Sequence, residues 1–272
     1  MAYPTVSAPY GFKPVSLIGG QVFAGSTRDY PIQYNYGTAI YYGDFVTTAS
    51  GYTVIATVPV STTNTTTGVF LGCYYTNPTT KQRQYSQYYP GNVTAGDITA
   101  IVGDDPDQVF RCAVTAAAGS TTIASASSIL VGQNMAGNTL TGSASTGNGA
   151  GAVVAATANA SGGGFRVLGL VPDTEISTSA TYVSGTGTTS LVVSGLTVGQ
   201  YIPIGTDVFN LVNGQLQFTG SSTTAASTVT TTGSTTLTVV ASTATVAGTV
   251  ALVQAPEVLV KLNFGAHRYY VA

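Results

Sequence analysis

Three aspartates stand together in GDDPDQ, residues 103–108. Asp104, Asp105 and Asp107 offer the hard carboxylate oxygens that Ca²⁺ takes, but the flanking residues do not follow the EF-hand spacing. The same residues also start a β-turn, because Asp side chains bond nearby backbone N–H groups and proline fixes φ. The turn reading is adopted here, and no metal or cofactor is assigned. Nucleophilic catalysis needs a base beside its nucleophile. The single histidine, His267 in FGAHRYY, reads as a packing or surface residue. No GxSxG or P-loop occurs, and the glycines of GGQVFAG and SGGGFRVLG are not set between a strand and a helix. No pair of carboxylates is marked for glycoside hydrolysis. No catalytic residue is assigned, and the chain is read as something other than an enzyme. Cys73 and Cys112 are too few for a disulfide framework, and read as buried thiols or as one pair. No CxxC marks a zinc site.

The tyrosines are the remaining signal. GVFLGCYYTNPTTKQRQYSQYYPG, residues 68–91, holds five of them. Lys81, Arg83, Tyr85, Tyr88 and Tyr89 alternate basic and aromatic character, which is the grammar of a nucleic-acid stacking surface. Eight Lys and Arg against ten Asp and Glu, a net charge of −2, leave no basic field to hold a polyanion. Nucleic acid is therefore not expected as a partner. Tyrosine also supplies contact area with a polar tip, as protein interfaces use it. On that reading Tyr85, Tyr88 and Tyr89 form an interface loop; the alternative is a tyrosine patch packed within the monomer.

These residues must be held by strands. β-Branched, often alternating runs bounded by Gly, Asn, Asp or Pro lie at 52–60, 68–75, 97–103, 109–114, 165–171, 189–196, 214–220, 235–242, 248–254 and 257–264. Asn213-Gly214 and Asn77-Pro78 are turn signals. No helical period stands out, although alanine is frequent over 113–160. The expected fold is all-β: a barrel or sandwich core with an extended N-terminal arm and an inserted small β module. Residues 1–30 carry three prolines, with Pro31 directly after, and little alternation, and read as an arm that lies across something else. Its apolar residues, among them Tyr10, Phe12, Leu17 and Phe23, need burial, so they are expected at an interface. Residues 31–177 with 253–272 read as the β-rich core, and 178–252 as a Thr/Gly-rich insert. Charge marks the division, since Asp207 is the single charged residue between Ser177 and Pro256. A weak repeat, GTTSLVV at 187–193 and GSTTLTV at 233–239, points to two related hairpins in the insert.

Only 7% of the residues are charged, against roughly a quarter in average soluble proteins. Thr, Ser, Asn and Gly must keep such a surface wet, which suits a rigid, external, assembled protein. The opening MAYPTVSAPYGF has no basic n-region or apolar h-region, so no secretory signal is expected. No run of about 18 apolar residues occurs, so no membrane helix is expected.

Several phrases together resemble a known family: APYGFKPVSLIGG, FAGSTRDYPI, IYYGDFV, GVFLGCYYTNP, YSQYYPG, VGDDPDQVF and VLVKLNFGAHRY. They look like the head decoration, or cement, proteins encoded beside the major capsid protein in tailed bacteriophages. The likeness covers roughly residues 8–115, 163–175 and 255–270, and the 178–252 insert departs from it. It implies a structural virion protein on the outer capsid surface. The implied partners are the major capsid protein and other copies of the chain, as a homotrimer. An adhesin whose insert binds host glycans is the competing reading, though exposed tyrosines are the usual sugar stackers and the insert has only two, Tyr182 and Tyr201.

Overall fold

The computed structural model describes residues 6–56, 66–155, 163–184, 189–230, 233–240, 246 and 248–263. His267 lies outside the described residues. The chain is nearly all β. The first strands are β1 (Lys13–Leu17), β2 (Arg28–Pro31), β3 (Phe45–Ala49), β4 (Tyr52–Ile55), β5 (Gly68–Thr76), β6 (Arg83–Ser86), β7 (Thr99–Gly103) and β8 (Gln108–Thr115). Then come β9 (Asn134–Met135), β10 (Gly137–Asn138), β11 (Ala152–Val154) and β12 (Phe165–Leu170). The rest are β13 (Ile176–Ser184), β14 (Ser190–Ser194), β15 (Tyr201–Ile202), β16 (Asp207–Val212), β17 (Gln215–Ser222), β18 (Ser227–Thr228), β19 (Thr235–Thr238), β20 (Thr249–Gln254) and β21 (Glu257–Leu262). Up to residue 155, the alanine-rich stretch holds a 3₁₀ turn at Ser128–Leu130, capped by the Ser127 hydroxyl, and otherwise short strands and loops.

One sheet runs β10-β11-β8-β21-β12-β9, with β1 added along β8. Its two end strands are separated by Ala136 alone, whose carbonyl accepts from Val154 N–H at 3.0 Å. The sheet therefore curls into a nearly closed barrel. Alternation decides which side chains face in. Phe110, Cys112 and Val114 of β8, Val258, Val260 and Leu262 of β21, and Phe165 and Val167 of β12 share one apolar cluster with Met135 and Val153. Phe12 and Phe45 complete it; the Phe12 ring lies 4.4 Å from Phe45 and 4.8 Å from Phe165.

The N-terminal segment is extended, but it is laid on the chain's own sheets. Phe12 is wholly buried, β1 pairs antiparallel with β8, and β2 pairs antiparallel with β7. The reason is energetic: a phenylalanine ring left in water forgoes about 2–3 kcal/mol of burial, and the aromatic cluster offers a ready site.

A second sheet, β2-β7-β5-β3-β4 with β6 beside β5, covers its own core of Ile40, Val46, Phe70, Cys73, Tyr89 and Val102, with others. Residues 31–115 thus feed two apolar clusters, with Cys73 in one and Cys112 in the other. Both thiols are buried and free, and burial pushes Cys73 up to about 12 and Cys112 well above the ordinary thiol value.

The third sheet, β17-β16-β20-β13-β14-β19, is made wholly of residues 176–254. Its interior is aliphatic, with Leu191, Val193, Val208, Leu237, Val250 and Leu252. Thr223 bridges Val239, so the far ends of β17 and β19 also meet. The two repeat segments pair with each other as neighbours, and Leu191 stands opposite Leu237. The module leaves and rejoins the barrel side by side, because Ile176 opposes Gln254.

Candidate binding surface

The Tyr-rich run is a β-hairpin. Asn77 shapes its turn: the Asn77 side-chain oxygen accepts from Thr79 N–H and Thr80 N–H at 2.9 and 3.1 Å, and Pro78 fixes the first bend. Lys81 takes a positive φ of 58° there. β6 then returns along β5, with Tyr85 opposite Tyr74 and Arg83 opposite Thr76.

Period-2 alternation divides the tyrosines. Cys73 and Tyr75 point into the core, whereas Tyr74 joins Tyr85 and Arg83 on the outer face. The Arg83 guanidinium lies 4.1 Å from the Tyr74 ring centre and 5.6 Å from that of Tyr85. The two rings are 5.5 Å apart, tilted at 46°. Tyr74 donates its hydroxyl proton to Asp29 of β2 at 2.8 Å. Beside it, Thr76 donates both its N–H and its hydroxyl to Asp97, and the hydroxyl bond leads in holding that carboxyl below the usual carboxylate range. The result is a row Asp29–Tyr74–Arg83–Tyr85 across the sheet. Tyr85 stands at its open end, 68% exposed.

The other expected interface residues are placed differently. Tyr89 is wholly buried, donates its hydroxyl to the Tyr36 carbonyl at 2.8 Å, and stacks with Tyr36. Tyr88 is half-buried and stacks on Tyr41 at 5.4 Å and 12°. Phe12 and Tyr89 are core residues and are withdrawn from any interface; within the hairpin, Tyr85 alone of the three named tyrosines is presented. Leu17 and Phe23 are half-buried. Around them Val15 and Ile18 are exposed, as is Val22 at 79%, so the N-terminal segment has an outward apolar edge after all.

Tyr10 serves a charged cluster on the barrel's outer side. It donates to Glu257, which also receives Arg111, with Arg111 Nε at 3.0 Å. Burial would raise the Glu257 pKa, but bonds from Arg111, Tyr10 and Thr174 prevail and hold it below the usual value. Burial, followed by the bond to Glu257, pushes the Tyr10 hydroxyl far up.

The aspartates of GDDPDQ diverge. Asp104 accepts from Tyr30 at 2.6 Å and lies 3.3 Å from Arg28, while Asp107 lies 3.6 Å from Lys261. Asp105 accepts from Asp107 N–H at 2.9 Å, closing the turn. Among the described residues no group of three or more His, Cys, Asp or Glu is placed to hold a metal ion. Asp29 and Tyr74 were not singled out by sequence reasoning. The alternation of Tyr74 with Tyr75 marks one of that pair as outward, but the pairing of β2 with β7 that brings Asp29 near is a long-range fact. Comparison with protein-family models, curated proteins and solved structures found no match to this chain.

Proposed function

We propose that the chain is a structural virion protein that binds the outer surface of a bacteriophage capsid and stabilises it. The observation that carries this reading is the outward row Asp29–Tyr74–Arg83–Tyr85. Tyr and Arg are the residue types that dominate protein–protein hot spots, because they combine large contact area with directional bonds. Here the arginine already lies over the Tyr74 ring, beside Tyr85, so little side-chain freedom is lost when a partner docks. The exposed Val15, Ile18 and Val22 add an apolar edge. Repeated around a shell, such modest contacts gain by multivalency. The phrase-level likeness to decoration proteins agrees with this reading, and a homotrimer remains part of the proposal.

The test is addition of purified protein to capsids stripped of it. Wild-type protein should cosediment with the shells and raise their resistance to heat and osmotic shock. The double variant Arg83→Ala, Tyr85→Ala should fail to bind while keeping its own fold. Shells that are equally robust without the protein would end the proposal, and altered cell attachment by variants of the 178–252 module would favour the adhesin instead.

A further inference from the structure

A pocket of about 290 Å³ opens beside the start of β3, lined by none of the residues of the tyrosine row. Thr38, Tyr41 and Asp44 form one side of its wall, and Ile55, Leu140 and Thr141 contribute to the rest. Asp44 is only 5% exposed. Its Oδ2 accepts from Tyr41 N–H at 2.9 Å, and its main chain is fixed by bonds to Tyr41 O and from Phe70 N–H. Oδ1 receives no hydrogen bond from the described residues. Gly149 lies so close to Oδ1 that a Cβ there would collide with it. Gly142 packs on the Tyr41 ring, where a Cβ would come within 2.5 Å. Gly142 lines the pocket and leaves the Tyr41 ring bare where a side chain would otherwise fill the space, while Gly149 leaves room for the Asp44 carboxylate that also lines it.

Among the described residues Asp44 has no cationic partner and one carboxylate oxygen left unused, and a buried carboxylate in that state is costly to keep. Burial pushes Asp44 up to about 7, against the Tyr41 bond, which lowers it. Tyr41 is the other titratable side chain in the pocket wall. Together the features specify a ligand. It must bring positive charge and N–H donors to Oδ1, and a short apolar body to meet Ile55 and Leu140.

We propose that this pocket binds a small primary amine in its ammonium form, with Asp44 as the counter-ion and the Ile55–Leu140 wall holding the aliphatic stem. The ammonium donates to Oδ1, and Asp44 is ionised in the complex. Affinity therefore falls as pH drops below about 7.

The probe is n-hexylammonium, titrated into the full chain and followed by the amide NMR signals of Tyr41 and Asp44 at about pH 8 and about pH 5. Saturable shifts at the higher pH, weakened about tenfold or more at the lower one and in Asp44→Asn, are expected. 1-Hexanol, which has the same stem and no charge, should bind at least about tenfold more weakly; this arm needs no variant. A parallel arm with Nα-acetyllysine amide distinguishes a free amine from a peptide-borne one. Binding of hexylammonium in preference to the lysine amide supports the proposal, and preference for the lysine amide overturns it. Absence of saturable shifts, equal binding of the alcohol, or undiminished binding by Asp44→Asn also overturns it.

Discussion

The body and the inserted module are both β-sheet structures with few charges, yet they satisfy their polar groups by different means. In the body, charges come in pairs: Arg111 with Glu257, Lys261 with Asp107, Arg28 with Asp104. Its tyrosine tips bond to carboxylates and carbonyls, as Tyr30, Tyr74 and Tyr89 do. In the module, hydroxyls do that work. Thr219 donates to Val208 O at 2.7 Å, Thr206 and Thr223 to Pro203 O at 2.8 and 2.7 Å, and Ser221 to Val240 O at 2.9 Å. Asp207, the module's one charge, reaches the body instead, where it accepts from the Ser127 hydroxyl and from Ser128 N–H at 2.7 Å. The difference teaches that a low-charge sheet needs either rings with polar tips and matched ions, or short hydroxylated side chains that bond the backbone beside them.

The comparison breaks most readily at the rings. Phe12→Ala should cost about 3–5 kcal/mol of global stability in urea titration, because the cluster with Phe45 and Phe165 cannot refill the space. Leu237→Ala in the module core should cost about 2–5 kcal/mol, with the loss centred on amides of residues 176–254 in hydrogen exchange. Arg111→Met should cost about 3 kcal/mol, since it strands the buried Glu257. Asp207→Ala should cost about 2 kcal/mol by leaving Ser128 N–H without its acceptor. Arg83→Ala, on the exposed row, should change stability by less than about 0.5 kcal/mol while weakening the capsid binding proposed above.

Acid sharpens the contrast because the signs are opposite. Glu257 is held below its ordinary value, so its contribution is present above about pH 4.5 and is lost as pH falls through the folded value. Asp207 is raised, burial outweighing the bonds from Ser127 and Ser128. Its contribution is full below about pH 4 and is lost as pH rises through that raised value. Calorimetry across this range should find that Asp207→Asn gains on wild type with rising pH, whereas Glu257→Gln loses on it.

Much of the fold was legible where strands alternate between apolar and polar residues. β5, β8, β12, β17 and β21 fall on runs that the sequence marks within a few residues. β13 was missed because ISTSATYVS is mostly hydroxylated and half-exposed, so it offers no apolar face to read; its partners β20 and β14 make it a strand. β1 was missed because Pro14 and a bulge beside it break the pattern, and pairing with β8 overrides both. Of the candidate surface, the turn at Asn77 and the outward Tyr85 were legible. The inward course of Tyr89 was not, because nothing local tells an aromatic that caps a core from one that meets a partner. Asp44 was equally silent, since the residue packed against its carboxylate, Gly149, lies about a hundred residues further on.

The antiparallel meeting of Ile176 with Gln254 has one more consequence. A socket of this geometry accepts whatever closes it: a tight turn, the present cassette, or a foreign graft, all starting from the same pair of stumps. The register of β12 against β21 is set on the barrel side of that gate. Sequence can therefore be exchanged beyond it without redrawing the scaffold, and the module can drift while the barrel stays the same.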